Sequence, residues 1–104
     1  MQLINQPTLL SVLSSIEPKV IFFIDNITPK EIFILNLQSL FIKETYNIDS
    51  FIYYINSSNN NKLLADILNI NTNITLLVNN NNFYRETKVI DIKQFIGNNI
   101  NKQS

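Results

Sequence analysis

A chain of 104 residues with 45% hydrophobic content is sized for one domain around one core, and eight basic against eight acidic side chains leave no net charge. With 15% of residues charged, it has no broad basic field to gather nucleic-acid phosphates or anionic lipid. It contains no cysteine and no histidine, which excludes thiol redox chemistry and removes the side chain that titrates nearest neutral pH.

In chain order, Gln2-Leu3-Ile4 reads as a short first strand. Pro7 fits the first turn of a helix whose apolar positions are Leu9, Leu10, Val12, Leu13 and Ile16, ended by Glu17-Pro18. Val20 to Ile24 is continuously apolar and β-branched or aromatic, the pattern of a central strand buried on both faces. Thr28-Pro29-Lys30-Glu31 is a helix start, with Thr28 as N-cap, Pro29 at the first helical position and Glu31 completing a capping box. That helix is expected to run to about Tyr46 and to turn Phe33, Leu37, Leu40 and Phe41 toward the core. Ile32, Ile34, Leu35 and Ile42 are then surplus apolar surface.

Phe51 to Ile55 is the next β-prone run, followed by a polar loop over Asn56 to Asn61 and a short helix over Lys62 to Leu68. Ile74 to Val78 and Phe83 to Ile90 flank Asn79-Asn80-Asn81-Asn82 and form an antiparallel hairpin. Asp91 with Gln94 starts a last helix that turns Ile92, Phe95 and Ile96 inward. The order β-α-β-α-β-α-β-β-α specifies an α/β fold, a mixed central sheet with helices on both faces. One domain is expected over 1–104, with a core over about 2–100 and a polar tail at 101–104.

No catalytic or metal-binding set emerges, and no cofactor or enzyme activity is expected. Asp25, Glu31, Asp49, Asp66 and Asp91 are scattered, Ser14-Ser15 and Ser57-Ser58 have no histidine to activate them, and the sole glycine, Gly97, makes no phosphate loop. Tyr53-Tyr54 with Phe51 lacks the basic groove that base stacking needs, so these aromatics read as core.

Ile and Asn occur 18 times each, against one Gly, one Ala and one Arg. Ile and Asn codons are AT-rich, so the skew indicates an AT-rich genome. An organelle-encoded protein of a mitochondrion or plastid is the expectation, with the cytoplasm of an AT-rich bacterium or protist as the alternative. The short asparagine runs then read as drift in exposed turns. Met1 to Ile16 lacks a basic leader, and no apolar stretch reaches the roughly 20 residues of a membrane helix, so the chain is expected to be soluble and used where it is made.

The element order resembles the thioredoxin-like superfamily over about residues 2–100. Local anchors are Val20-Ile21-Phe22-Phe23 for the central strand, Ile70 through Thr75-Leu76-Leu77-Val78 for the loop and strand that carry the family's cis-proline, and Lys93-Gln94-Phe95-Ile96 for the closing helix. The resemblance aligns Pro29 with the proline of the family's Cys-Gly-Pro-Cys motif. Ile27 and Lys30 then stand in the cysteine positions, and Thr28 lies between. It implies that Asn26 replaces the tryptophan before the motif, Ile21 the buried aspartate, Tyr53 its lysine partner and Ile74 the cis-proline. The Asn73-Ile74 bond is therefore expected to be trans.

Two readings of the turn follow: a well-made helix cap alone, or a residual peptide groove lined by Ile27, Pro29, Thr72 and Ile74. Ile34, Leu35 and Ile42 are the candidate protein-contact patch, unless AT-rich drift alone placed them. The expectation is a redox-inactive structural subunit, docked to protein neighbours in a larger organellar assembly. A peptide-binding or chaperone-like module and a ribosome-associated protein are the alternatives.

Overall fold

The computed structural model describes residues 2–55, 69–70, 73–79, 82–86, 95–97 and 99. Its elements are β1 (Gln2–Leu3), α1 (Gln6–Ser14), β2 (Lys19–Ile24), α2 (Pro29–Tyr46), β3 (Asp49–Tyr54), β4 (Ile74–Asn79) and β5 (Asn82–Glu86), and residues 95–97 and 99 are helical. The helix expected over 62–68, the start of the last helix at 91–94, the strand residues 87–90 and the turn residues Asn80 and Asn81 lie outside the described residues.

The strands form one sheet in the order β1-β3-β2-β4-β5. β1, β3 and β2 run parallel, while β4 is antiparallel to both β2 and β5. From β1 the chain crosses to β2 by way of α1, then steps back to β3 by way of α2. Right-handed crossovers in opposite directions put the two helices on opposite faces. Leu9, Val12 and Leu13 of α1 accordingly pack with Ile21, Phe23, Tyr53, Leu76 and Val78, while Leu35 and Ile42 of α2 pack with Val20, Phe22, Ile24, Ile52 and Leu77. Phe95 and Ile96 join the α2 side.

All six residues of β2 are buried. One of them is Lys19, whose Nζ donates to the carbonyl of Ser15 at the end of α1, a favourable place for a cation. Burial pushes its amine below the usual lysine range, partly offset by Glu17. α1 begins one residue earlier than Pro7 because Asn5 is its N-cap, Oδ1 accepting from the Thr8 N–H at 3.1 Å. It stops at Ser14, so Ile16 lies beyond it, and both Ile16 and Leu10 are exposed.

α2 starts on the expected capping box. The Thr28 hydroxyl oxygen accepts from the Glu31 N–H at 3.2 Å, and Glu31 Oε1 accepts from the Thr28 N–H at 3.0 Å. These bonds hold the Glu31 carboxyl below its ordinary range. At the other end Asn47 takes the left-handed conformation, φ 57°, and donates to the Lys43 carbonyl at 3.0 Å, a stop that asparagine tolerates better than most residues.

The rotation of α2 corrects the expected one. Phe33, Leu37 and Leu40 are 63%, 52% and 60% exposed, while Leu35 and Ile42 are 1% and 0% exposed. Leu35 and Ile42 are therefore core, not a contact patch, and Ile34 lies half-buried at the border. The helix is apolar on nearly every side, so periodicity cannot choose a face. The ends choose it instead: the Thr28 cap and the Asn47-Ile48 exit fix where the helix enters and leaves the sheet, with Ile48 buried beside Ile42. Short Ser39 also faces inward, its hydroxyl satisfied by the Asn36 carbonyl at 3.0 Å.

Three outcomes check this account. In urea unfolding, Leu35→Ala should cost about 2–5 kcal/mol and Leu37→Ala within about 0.5 kcal/mol, and the reverse order would restore the other rotation. Thr28→Ala should cost about 1 kcal/mol, and its partner Glu31, with a depressed folded-state pKa, contributes stability that is lost as pH falls below the ordinary value of 4.5. Glu31→Gln should flatten that acid limb. Lys19 has the opposite dependence: with its folded-state pKa below the unfolded 10.5, stability rises with pH through the window beneath 10.5. The gap between wild type and Lys19→Met should shift in favour of wild type from pH 7 to about pH 9, below tyrosine ionisation.

Candidate functional site

At the exit of β2 the chain turns through Asp25, Asn26 and Ile27 into the Thr28 cap. Beside this turn lies Asn73, the residue before β4, whose first residue Ile74 pairs with Phe23. Asn73 Oδ1 accepts from the N–H groups of Asp25 at 2.6 Å and Asn26 at 3.2 Å, and its Nδ2 donates to the Asn26 carbonyl at 2.7 Å. One amide side chain thus satisfies three backbone groups of a turn that no ladder or helix serves. The ends of β2 and β4 are clamped together.

The positions singled out from the sequence sit around this clamp. Thr28, Pro29 and Lys30 are exposed and Ile27 is half-buried against the α2-side core. Ile74 is buried and belongs to the other core cluster. The described residues contain no cis peptide bond, so Asn73-Ile74 is trans as expected. Thr72, named as a groove wall, lies outside the described residues. Ile21 and Tyr53 are both fully buried, and Tyr53 meets Phe23 edge-on at 5.6 Å. Burial raises the phenol above its usual range and so keeps it neutral.

The chemistry available here is small. Glu31 Oε1 is taken up by the cap, accepting from both the N–H and the hydroxyl of Thr28. Asp25 is exposed. No group of three or more acidic residues that could hold a metal ion occurs among the described residues. At the far end of α2 an open groove of about 360 Å³ is lined by Gln2, Ser39, Lys43, Asp49, Ser50 and Phe51 among others. Its charges are spent on each other, Lys43 Nζ meeting Asp49 Oδ1 at 2.8 Å.

A scan against protein-family models finds no match, and a search of curated proteins finds none either. Solved structures do match. The crystal structure of thioredoxin o2 from Arabidopsis thaliana in the oxidised state aligns at TM-score 0.70 and 13% identity, over 93% of this chain and 91% of that one. Thioredoxin f2 from Chlamydomonas reinhardtii aligns at TM-score 0.73 and 16% identity over 94% of each chain. A designed protein aligns at TM-score 0.74 and 13% identity over 99% of this chain and 92% of its own. The chain has a thioredoxin-like fold.

Within this thioredoxin-like frame the β2–α2 turn holds no thiol, since the chain has no cysteine, and dithiol–disulfide exchange has no reacting atom. The cap survives without the chemistry. Asn73 is the residue that sequence reasoning missed. It stands 47 and 48 positions from its partners, so no local pattern announces it, and in a chain with 18 asparagines a further one reads as background. Asn73→Ala should destabilise the chain by about 0.5–1.5 kcal/mol, the net loss of hydrogen bonds at an exposed turn that water can partly replace. It should also speed amide exchange at Asp25 and Asn26, whereas unchanged exchange at both would show that the turn holds itself.

Proposed function

We propose that this thioredoxin-like chain is a non-catalytic structural subunit that binds protein neighbours in a larger multi-protein assembly. The observation that carries the reading is the exposed apolar stripe of α2, Phe33, Leu37 and Leu40, on the face opposite buried Leu35 and Ile42. Three large apolar side chains at i, i+4 and i+7 form one continuous ridge, the pattern by which a helix enters a partner's groove. Ile34 and Phe41, both half-buried, widen it. Burying such a ridge against protein is favourable by about 25 cal/mol per Å² of apolar surface.

Further features support the reading. Loss of every thiol removes the redox mechanism while the caps and core still specify the fold. The Asn73 clamp occupies the polar groups of the turn, where a retained peptide groove would need them. Zero net charge favours protein neighbours over extensive RNA contact. Among the described residues no helix is long and apolar enough to cross a membrane. The AT-rich composition supports an organelle-encoded origin, in a mitochondrion or plastid, ahead of the cytoplasm of an AT-rich bacterium or protist.

Native-size separation of the source lysate tests this directly. Wild-type chain should migrate with one large complex, and Phe33→Asp with Leu37→Asp should release it while leaving the helical signal intact. A wild-type chain found only at or near its own mass of 12.1 kDa would sink the reading.

A further inference from the structure

The ridge on α2 has a symmetry that names its occupant. On the helical wheel Leu37 marks its centre, and Phe33, Ile34, Leu40 and Phe41 lie around it. Phe33 and Phe41 are equidistant from Leu37 along the chain, as are Ile34 and Leu40. Lys30 and Glu44 are equidistant as well, exposed, on the same face, and of opposite charge. Among the described residues neither has an ion-pair or hydrogen-bond partner.

We propose that this face is covered by a second copy of the same chain, the two α2 helices packing antiparallel about a two-fold axis at Leu37. This rests on the protein-binding reading of the ridge and names its partner. Under that operation Leu37 meets Leu37 of the second copy, Phe33 meets Phe41, Ile34 meets Leu40, and Lys30 meets Glu44 at both ends of the seam. Apolar meets apolar along the seam, and no charge meets its like. A parallel pair would instead set Lys30 against Lys30 and Glu44 against Glu44.

The helix dipole points the same way. Lys30 lies in the first turn of α2 and Glu44 in the last, so each charge sits at the end its own helix disfavours. An antiparallel neighbour brings its opposite end beside each of them. Zero net charge removes long-range repulsion between copies. An 18-residue helix is about 27 Å long, room for a single helix–helix seam, which belongs at the small end of specific interfaces and makes the pairing concentration-dependent.

Sedimentation velocity on the full chain, from about 1 to about 200 μM, should show the mass rise from 12.1 kDa toward twice that value. Leu37→Glu, which sets two carboxylates on the axis, should hold the chain monomeric with an unchanged circular dichroism spectrum. Lys30→Glu alone and Glu44→Lys alone should each weaken dimerisation about tenfold, because symmetry puts each like-charge clash at both ends of the seam. The double variant Lys30→Glu with Glu44→Lys should recover it to within about threefold. That recovery separates an antiparallel two-fold seam from a non-specific apolar contact, and the seam is overturned if the double variant stays as weak as the singles. A wild-type chain monomeric at every concentration also overturns the second copy. If Leu37→Glu then still leaves the large complex in lysate, the ridge binds a different protein and the subunit reading stands alone. A dimer disrupted by Leu37→Glu, in a lysate where no larger complex forms, supports the second copy and removes the larger assembly.

Discussion

Everything in this molecule is hung on β2. Its six residues are buried, and they are shared between two cores: Ile21 and Phe23 face the α1 side, while Val20, Phe22 and Ile24 face the α2 side. A strand buried on both faces cannot alternate polar and apolar residues, and it must be flanked by partners that satisfy its backbone on both edges. β3 does so in parallel and β4 in antiparallel register. Parallel pairing requires a helical crossover, and that brings α2 into place. The antiparallel β2–β4 pairing makes the sheet mixed, and β5 extends it with a second antiparallel pair.

The turn that leaves β2 is held at two levels. Thr28 and Glu31 close the helix end locally, through bonds between residues three apart. Asn73 closes the strand end from across the sheet. Together they turn a place where this fold can present a thiolate at a helix N-terminus into a sealed junction. With the backbone groups of Asp25 and Asn26 already engaged, the junction's remaining contribution is to fix where α2 begins, and therefore which way α2 faces.

That facing is the main point on which sequence and structure part. The capping box, the double-sided central strand, the hairpin and the crossover order were legible because each is written in a few adjacent residues: a cap at Thr28 to Glu31, a continuous apolar run at Val20 to Ile24, asparagines between two β-prone runs. The rotation of α2 was not, because Phe33, Leu37 and Leu40 make as good an apolar stripe as Leu35 and Ile42 do. Periodicity reports that a face is apolar, not which of two apolar faces meets the sheet. The Asn73 clamp was equally invisible, joining residues that only the β2–β4 pairing makes neighbours. The Asn5 cap of α1 was legible in principle, as an asparagine three residues before the N–H it accepts from.

The sequence by itself determined the class of fold, the Thr28–Glu31 cap, the mixed sheet and the absence of thiol chemistry, because these depend on composition and on residues close in the chain. Only the tertiary structure decided that Leu35 and Ile42 are core and that Phe33, Leu37 and Leu40 are surface. The physical reason is that one helix can bury only one side against a sheet. The entry and exit of the chain, not the relative greasiness of its faces, set which side that is.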